Sequence, residues 1–208
     1  MKKKYSLLLF SLASMILAAC SQTSAGDRRL LGGCEGCEMM FDGMPPHIGA
    51  TANIAGPKEP GQRMIITGTI FKNDGKTPAP GVILYVYQTD NTGEYTPAPD
   101  QKYAKRHGHL RGWVKTDANG HYELNTIRPA SYPNSKNPQH IHPIIDEPGK
   151  GYYWIDEYVF EDDPLLSKED RSQSRNRGGS GIIKLSKNDK GVWIGTRDIV
   201  LGKNVPGY

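Results

Sequence analysis

The feature that most constrains the fold is a pair of short alternating runs on either side of a tight turn. Residues 113–116 and 121–127 flank Asp117-Ala118-Asn119-Gly120, whose Asx and glycine residues supply turn conformations. Because successive strand side chains point to opposite faces, each run would present one apolar face to a core. The pattern predicts a β-hairpin.

Apolar runs of strand length recur along the chain, and no long amphipathic helical pattern interrupts them. Residues 81–88 are apolar on both faces, which favours a central position in a sheet. The 24 glycines and 15 prolines indicate many turns. We therefore predict an all-β fold, a β-sandwich of mainly antiparallel strands with long loops. Further strands are expected at residues 64–71, 140–145, 153–160, 181–185 and 192–201.

The N-terminus has the pattern of an export signal. Lysines at 2–4 precede an apolar stretch at 6–17, which is too short for a comfortable membrane span. Leu17-Ala18-Ala19-Cys20 resembles the lipobox of bacterial lipoproteins, in which the cysteine carries the acyl chains. An ordinary cleaved signal with an unrelated cysteine is the alternative.

The sequence thus predicts a signal peptide (1–19), a lipidated tether with the Cys-x-x-Cys pair (20–45) and a folded domain (46–208). We expect lipid anchoring in the cell envelope through Cys20. If the cell is Gram-negative, we expect the outer membrane, because the residue after Cys20 is Ser21 and not an aspartate. Without the three lysines of the signal, the formal charge falls from +4 to +1. A nearly neutral domain gives no reason to expect nucleic acid as a partner.

Cys34 and Cys37 form a Cys-x-x-Cys pair just before the expected domain. An oxidising compartment favours a disulfide between them. Free thiols, a redox role and metal binding remain open, although the βαβ pattern of thioredoxin-like proteins is absent from the sequence.

Two histidines and two tyrosines form the candidate metal-ligand set. His140 and His142 are two apart on a predicted strand and therefore share one face. Tyr95 and Tyr132 each lie in a turn-like setting rich in Gly or Pro. Two imidazoles and two phenolates suit a hard trivalent cation such as Fe(III) better than structural zinc, which prefers thiolate and imidazole.

The order of these residues resembles the intradiol ring-cleavage dioxygenase family, which includes catechol 1,2-dioxygenases and protocatechuate 3,4-dioxygenase subunits. The resemblance covers roughly residues 62–165. The supporting motifs are Gly93-Glu94-Tyr95, Gly120-His121-Tyr122, Arg128-Pro129, Tyr132-Pro133, Pro138-Gln139-His140-Ile141-His142 and Phe160-Glu161-Asp162-Asp163-Pro164.

The resemblance implies that loops and strand ends hold Fe(III) through Tyr95, Tyr132, His140 and His142. Tyr95 would stay bound, whereas Tyr132 would leave the metal and accept a proton when a catechol binds. The implied activity is cleavage of catechol-type rings with O₂ to muconate-type diacids, with no organic cofactor. Oligomers are common among such enzymes, but the tether and the lack of a helical dimerisation segment also allow a monomer.

Two positions depart from the family pattern. Asn137 stands where an arginine is common, and Glu157 where a glutamine is common. Losing a cation and gaining a carboxylate disfavours an anionic intermediate, unless Lys136 or Arg111 compensates. Asn137 and Glu157 are kept as catalytic candidates, and Glu157 as a possible base.

These departures keep a second function open: a catalytically weak lipoprotein that binds a catecholate or another surface ligand. A purely structural lipoprotein domain is a third. We also expect His107 and His109 to lie in a loop, either solvated or at the pocket mouth. Residues 171–181 are expected to form a solvated basic loop, and the alternative is that one of its arginines contacts an anionic substrate.

Overall fold

The computed structural model describes residues 29–208, so the predicted signal peptide, Cys20 and the start of the predicted tether lie outside the described residues. Strands dominate this part of the chain, and none of its helices has the length and apolar character to cross a membrane. The elements are β1 (Thr51–Asn53), β2 (Arg63–Phe71), β3 (Ile83–Gln88), β4 (Arg111–Lys115), β5 (His121–Ile127), β6 (His140–Glu147), β7 (Gly151–Trp154), β8 (Tyr158–Phe160), α1 (Lys168–Gln173), β9 (Ile182–Ile183), β10 (Ser186–Lys187), β11 (Trp193–Thr196) and β12 (Ile199–Val200), with 3-10 turns at Cys37–Phe41 and Lys105–His107.

The strands form two sheets, as predicted for a β-sandwich. One sheet has the order β1-β5-β2-β11-β10 with β12 also beside β2, and the other has the order β4-β3-β6-β8-β9 with β7 also beside β6. Six of the ten strand pairs are antiparallel. Ile66 and Leu124 from the first sheet meet Leu84 and Ile145 from the second in one fully buried core. The predicted all-β sandwich of mainly antiparallel strands is confirmed.

The predicted hairpin is wrong in its pairing, although its turn is present. The Asp117 carboxylate accepts hydrogen bonds from the backbone N–H groups of Asn119 (2.8 Å) and His121 (2.9 Å). However, β4 pairs with β3, and β5 pairs with β2. The turn therefore passes from one sheet to the other. Alternation specifies which face of a strand is apolar but not which strand lies beside it.

The folded body extends further toward the N-terminus than the boundary predicted at residue 46. Cys37 and Met40 are buried against Tyr85 and Ile144, on the face of the second sheet that points away from the main core. The Trp113 indole donates a hydrogen bond to the Met40 carbonyl at 2.7 Å. Residues 29–45 are thus packed structure, because apolar side chains from the segment cover an apolar sheet face.

The segment predicted as one strand at 153–160 is divided into β7 and β8. Ile144 of β6 pairs with Trp154, and Ile141 pairs with Tyr158. Between these pairs, two residues of β6 face three residues of the other segment (155–157), which is the arrangement of a β-bulge. The predicted strand at 192–201 is similarly divided into β11 and β12.

Candidate metal centre

The two histidines lie on β6 and share one face of that strand. Ile141 between them is buried in the main core, so the imidazoles point the other way. Their Nε2 atoms are 3.1 Å apart. His140 is buried and His142 is partly exposed.

The two tyrosines come from loops that are tied to each other. The Asp90 carboxylate accepts hydrogen bonds from Thr92 and from the Thr96 hydroxyl (2.7 Å), which closes the turn that carries Tyr95. The backbone N–H of Ala130 donates to the Asp90 carbonyl at 3.1 Å. Gly93 has φ +88°, and a Cβ there would collide with the carbonyl of Ser131, the neighbour of Tyr132. Glycine at position 93 thus allows the two tyrosine loops to approach.

These four residues form what we call the donor cluster: Tyr95, Tyr132, His140 and His142. The Tyr95 and Tyr132 hydroxyl oxygens are 2.8 Å apart. Tyr132 Oη lies 2.9 Å from His140 Nε2 and 3.5 Å from His142 Nε2, while Tyr95 Oη lies 2.9 Å from His142 Nε2. Donors held at about 2.1 Å from one metal ion are themselves roughly 3 Å apart, so the spacing fits a single ion.

The outer nitrogens of both histidines have oxygen acceptors, which determines the tautomers. His140 Nδ1 lies 2.7 Å from the Pro138 carbonyl, and His142 Nδ1 lies 3.0 Å from a carboxylate oxygen of Glu157. In neutral rings both Nδ1 atoms therefore donate, and both Nε2 atoms direct lone pairs toward the centre of the donor cluster. Without a metal the hydroxyls of Tyr132 and Tyr95 can donate to these lone pairs, and with a metal the same oxygen and nitrogen atoms could bind it, so the cluster suits a metal.

Burial determines the protonation of the cluster without a metal. It raises the pKa of Tyr95 and of Tyr132 above the ordinary value for a phenol, and it lowers the pKa of His140. The phenols are then neutral at pH 7, as is His140. A metal ion that uses both phenols as anionic ligands would have to lower their pKa values, which a high ionic charge does most effectively.

A cavity of about 590 Å³ opens in front of the donor cluster. Tyr132, His140 and His142 line this cavity, whereas Tyr95 is not among its lining residues. Four further lining residues, Asn137, Trp154, Glu157 and Arg175, are called the cavity wall below. A cavity of this size is ample for a single substituted aromatic ring.

The two departures from the family pattern both lie on the cavity wall. Asn137 is exposed, and neither Lys136 nor Arg111 lines the cavity, so neither replaces the common arginine. The arginine that does line the cavity is Arg175. Arg111 instead donates to the Tyr85 hydroxyl and the Asp42 carbonyl.

Glu157 has potential ligand atoms within 4.8 Å of those of His140 and His142. It contacts His142 through the outer nitrogen, however, so the tyrosines rather than Glu157 surround the inner nitrogens. The Glu157 side chain is 46% exposed, so the desolvation that would raise its pKa is incomplete. Interactions with the two histidines, chiefly the hydrogen bond from His142, outweigh desolvation and hold the pKa of Glu157 below its usual range.

Sequence reasoning missed the aromatic stack behind His142. Tyr87 stacks on His142 with ring centroids 4.6 Å apart, and His107 stacks on the other side of Tyr87 at 3.7 Å. His107 is buried and hydrogen-bonded to Tyr85, so it is neither solvated nor at the pocket mouth, while His109 contacts Glu59. The pairing of Tyr87 with His142 across β3 and β6 was not visible in the sequence.

The segment predicted as a solvated basic loop at 171–181 is partly buried. Arg177 is 5% exposed and lies 3.7 Å over the Trp154 ring, and Arg175 lies on the cavity wall. Planar guanidinium groups stack on aromatic rings, which explains how a basic residue is accommodated there.

Comparison with known proteins agrees with this geometry. The family described as Dioxygenase matches residues 41–192. The protocatechuate 3,4-dioxygenase beta chain of Burkholderia cepacia is 32% identical over 125 residues, which cover 56% of this chain and 53% of that protein. Catechol 1,2-dioxygenase 1 of Acinetobacter lwoffii is 33% identical over 90 residues, which cover 43% and 28%. The chain thus spans about half, or less, of the length of these curated relatives.

Solved structures show the same fold. The dioxygenase domain of a dioxygenase and carbohydrate-binding protein fusion from Streptomyces sp. SirexAA-E superposes with a TM-score of 0.58 at 23% identity, covering 76% of this chain and 91% of that one. Catechol 1,2-dioxygenase from Acinetobacter sp. ADP1 gives a TM-score of 0.56 at 21% identity, covering 75% and 60%. The fold and site define a dioxygenase-type β-sandwich. The chain belongs to the intradiol ring-cleavage dioxygenase family.

Proposed function

We propose that the protein is an Fe(III)-dependent intradiol dioxygenase that cleaves catechol-type rings with O₂. The observation that carries the proposal is the convergence of two phenol oxygens and two imidazole lone pairs within 2.8–3.5 Å of one another. Family membership supports the same activity, because the matched relatives are named catechol and protocatechuate dioxygenases.

Each member of the donor cluster has a role consistent with its position. His140 and His142 are held on a sheet strand and by their Nδ1 hydrogen bonds, so they are suited to remain ligands. Tyr132 lines the cavity and is therefore placed to accept a proton from an incoming catechol hydroxyl. Tyr95 does not line the cavity and would stay bound. Fe(III), when present, supplies the positive charge that allows phenols and catechol to ionise at neutral pH.

The proposed net reaction inserts both atoms of O₂ into the product. The bond between the two hydroxyl-bearing ring carbons breaks, and each of these carbons becomes a carboxyl carbon. Catechol plus O₂ then gives muconic acid, so no external reductant or organic cofactor is needed.

Product analysis with catechol tests this activity. The iron-loaded protein should consume one O₂ per catechol and form a muconate-type diacid with absorbance in the ultraviolet. His121→Ala is a suitable control, since His121 is exposed on β5 and outside the cavity. O₂ uptake without a ring-opened diacid would refute intradiol cleavage.

The cavity wall favours a second candidate function, a protein that binds catecholates with little turnover. Asn137 supplies no cation, and Glu157 adds a carboxylate beside the donor cluster. This function predicts the same colour change on adding catechol but no O₂ uptake. Admitting air to the anaerobic complex with catechol therefore distinguishes the two functions, because only the dioxygenase would take up O₂.

We also propose that the protein is exported and anchored to the cell envelope through a lipidated Cys20. The support is the sequence Leu17-Ala18-Ala19-Cys20 after a basic and apolar stretch. Labelled palmitate should be incorporated into the wild type and absent from Cys20→Ser. Equal labelling of both proteins would contradict the proposal.

A further inference from the structure

The two histidines of the donor cluster differ in what accepts their outer proton. His140 Nδ1 faces a neutral backbone carbonyl, that of Pro138, at 2.7 Å. His142 Nδ1 faces the Glu157 carboxylate at 3.0 Å. A carbonyl orients an imidazole without adding charge, whereas a carboxylate also makes the ring a stronger electron donor.

The backbone places Glu157 opposite His142 by means of the bulge between β7 and β8. The extra residue in 155–157 turns the Glu157 side chain toward β6. The position is tightly held on its other side, because a Cβ at Gly181 would collide with the Glu157 carbonyl. The backbone N–H of Val159 also donates to the Gly181 carbonyl at 2.9 Å. The backbone at position 157 is thus fixed by the fold, and the exposed Glu157 side chain is held by its contact with His142.

We infer that Glu157 is a positioning residue that orients His142 and increases its electron donation to the metal. This inference rests on the proposed function and assigns Glu157 a role other than that of a free base. One carboxylate oxygen is engaged by His142, so Glu157 reaches the metal through the imidazole. A carboxylate hydrogen-bonded to His142 would stabilise Fe(III) relative to Fe(II), because its negative charge favours the more positive ion more than a neutral acceptor would.

Two substitutions separate orientation from charge. Glu157→Gln retains an oxygen that accepts from His142 Nδ1 but removes the negative charge. Glu157→Ala removes both. We expect the tyrosinate-to-iron charge-transfer band of Glu157→Gln to move to longer wavelength and its iron midpoint potential to rise, with iron still bound. Glu157→Ala should in addition lose roughly 10–100-fold in iron affinity.

A control for long-range charge is available in the same cavity. Asp170 lines the cavity, and its carboxylate is engaged in the capping box with Ser167 at the start of α1. Asp170→Asn removes one negative charge without touching a histidine. Its band and midpoint potential should match the wild type.

The measurements distinguish failure of the inference from failure of the proposed function. A wild type without a charge-transfer band in the presence of iron refutes the ferric site itself. A wild type with the band, together with Glu157→Gln whose band and potential are unchanged, refutes only the role of Glu157. Equal shifts in Glu157→Gln and Asp170→Asn would also overturn it, because they would show a general charge effect.

Discussion

The donor cluster and the cavity wall lie within one site but are held in different ways. The donor cluster is fixed by β6, by Nδ1 hydrogen bonds and by two tyrosine loops joined through Asp90 and Gly93. The cavity wall comes from a loop at Asn137, a bulge at Glu157 and an arginine at 175 that lies over Trp154. The first part agrees with the family pattern, and the second departs from it.

Under the proposed function, binding the metal and tuning the reaction would therefore depend on separable parts of this chain. The donor cluster needs a small set of residue types at fixed spacing, whereas the wall can change one side chain at a time. Substitutions in the cluster should therefore abolish function, and substitutions in the wall should change its rate or its substrate range.

The largest effect is expected from removing a histidine of the donor cluster. His140→Ala should lower iron affinity by more than about 100-fold, beyond the range for partners of ligands, and should abolish O₂ uptake. Metal analysis and an oxygen electrode measure both results. If His140→Ala retains iron and normal uptake, the cluster is not the metal centre.

Acid should weaken the stack that supports His142. Burial, assisted by the charge of Arg111, lowers the pKa of His107 to about 4. As the pH falls, His107 is therefore protonated in the unfolded chain before it is protonated in the folded protein. The folded state keeps its full stability above pH 6.5 and loses the contribution of neutral His107 as the pH falls toward 4. The cost is about 2–3 kcal/mol near pH 4.5.

Urea unfolding of the wild type and His107→Gln at pH 7 and pH 4.5 measures this loss. Glutamine can still hydrogen-bond Tyr85 but does not titrate, so the wild type should lose more stability than the variant. Parallel losses in the two proteins would show that His107 does not contribute to acid sensitivity.

Removing the disulfide should have a smaller effect, confined to the segment that covers the sheet. The structure joins Cys34 to Cys37, with Cα atoms 5.7 Å apart. Closing so short a loop contributes about 2 kcal/mol in the chain-entropy account. Cys34→Ser with Cys37→Ser should lower the melting temperature and leave the iron band unchanged. A lost band would instead show that residues 34–37 help to hold the metal.

The smallest expected effect is an increase in catalytic efficiency on changing one residue of the cavity wall. Asn137→Arg places a cation at the position where an arginine is common and should raise kcat/KM for catechol by about tenfold, because positive charge near developing negative charge lowers the barrier. Asn137→Gln is the matched control without charge. No gain in Asn137→Arg with iron fully bound would contradict the assignment of Asn137 to the substrate side.

Much of the donor cluster was predictable because it depends on local spacing. The His140 and His142 pair follows from strand alternation, and both tyrosines lie beside recognisable turn residues. The β-sandwich was also predictable from alternating runs. The pairing of the strands was not predictable, since β4 and β5 belong to different sheets although a tight turn connects them.

The remaining features depend on contacts between residues distant in sequence. Nothing local shows that Glu157 meets His142, because this contact requires the bulge opposite β6. The burial of Met40 likewise requires an apolar outer face on the second sheet. A segment rich in small and polar residues was therefore predicted as tether up to residue 45.

The visible spectrum of the iron-loaded protein, recorded before and after anaerobic addition of catechol, tests the central claim most directly. The proposed function predicts a tyrosinate-to-Fe(III) charge-transfer band that shifts when catechol binds and returns to its original position on admitting O₂ as the diacid forms. A protein that remains colourless with iron present would contradict the ferric donor cluster and the function proposed for it.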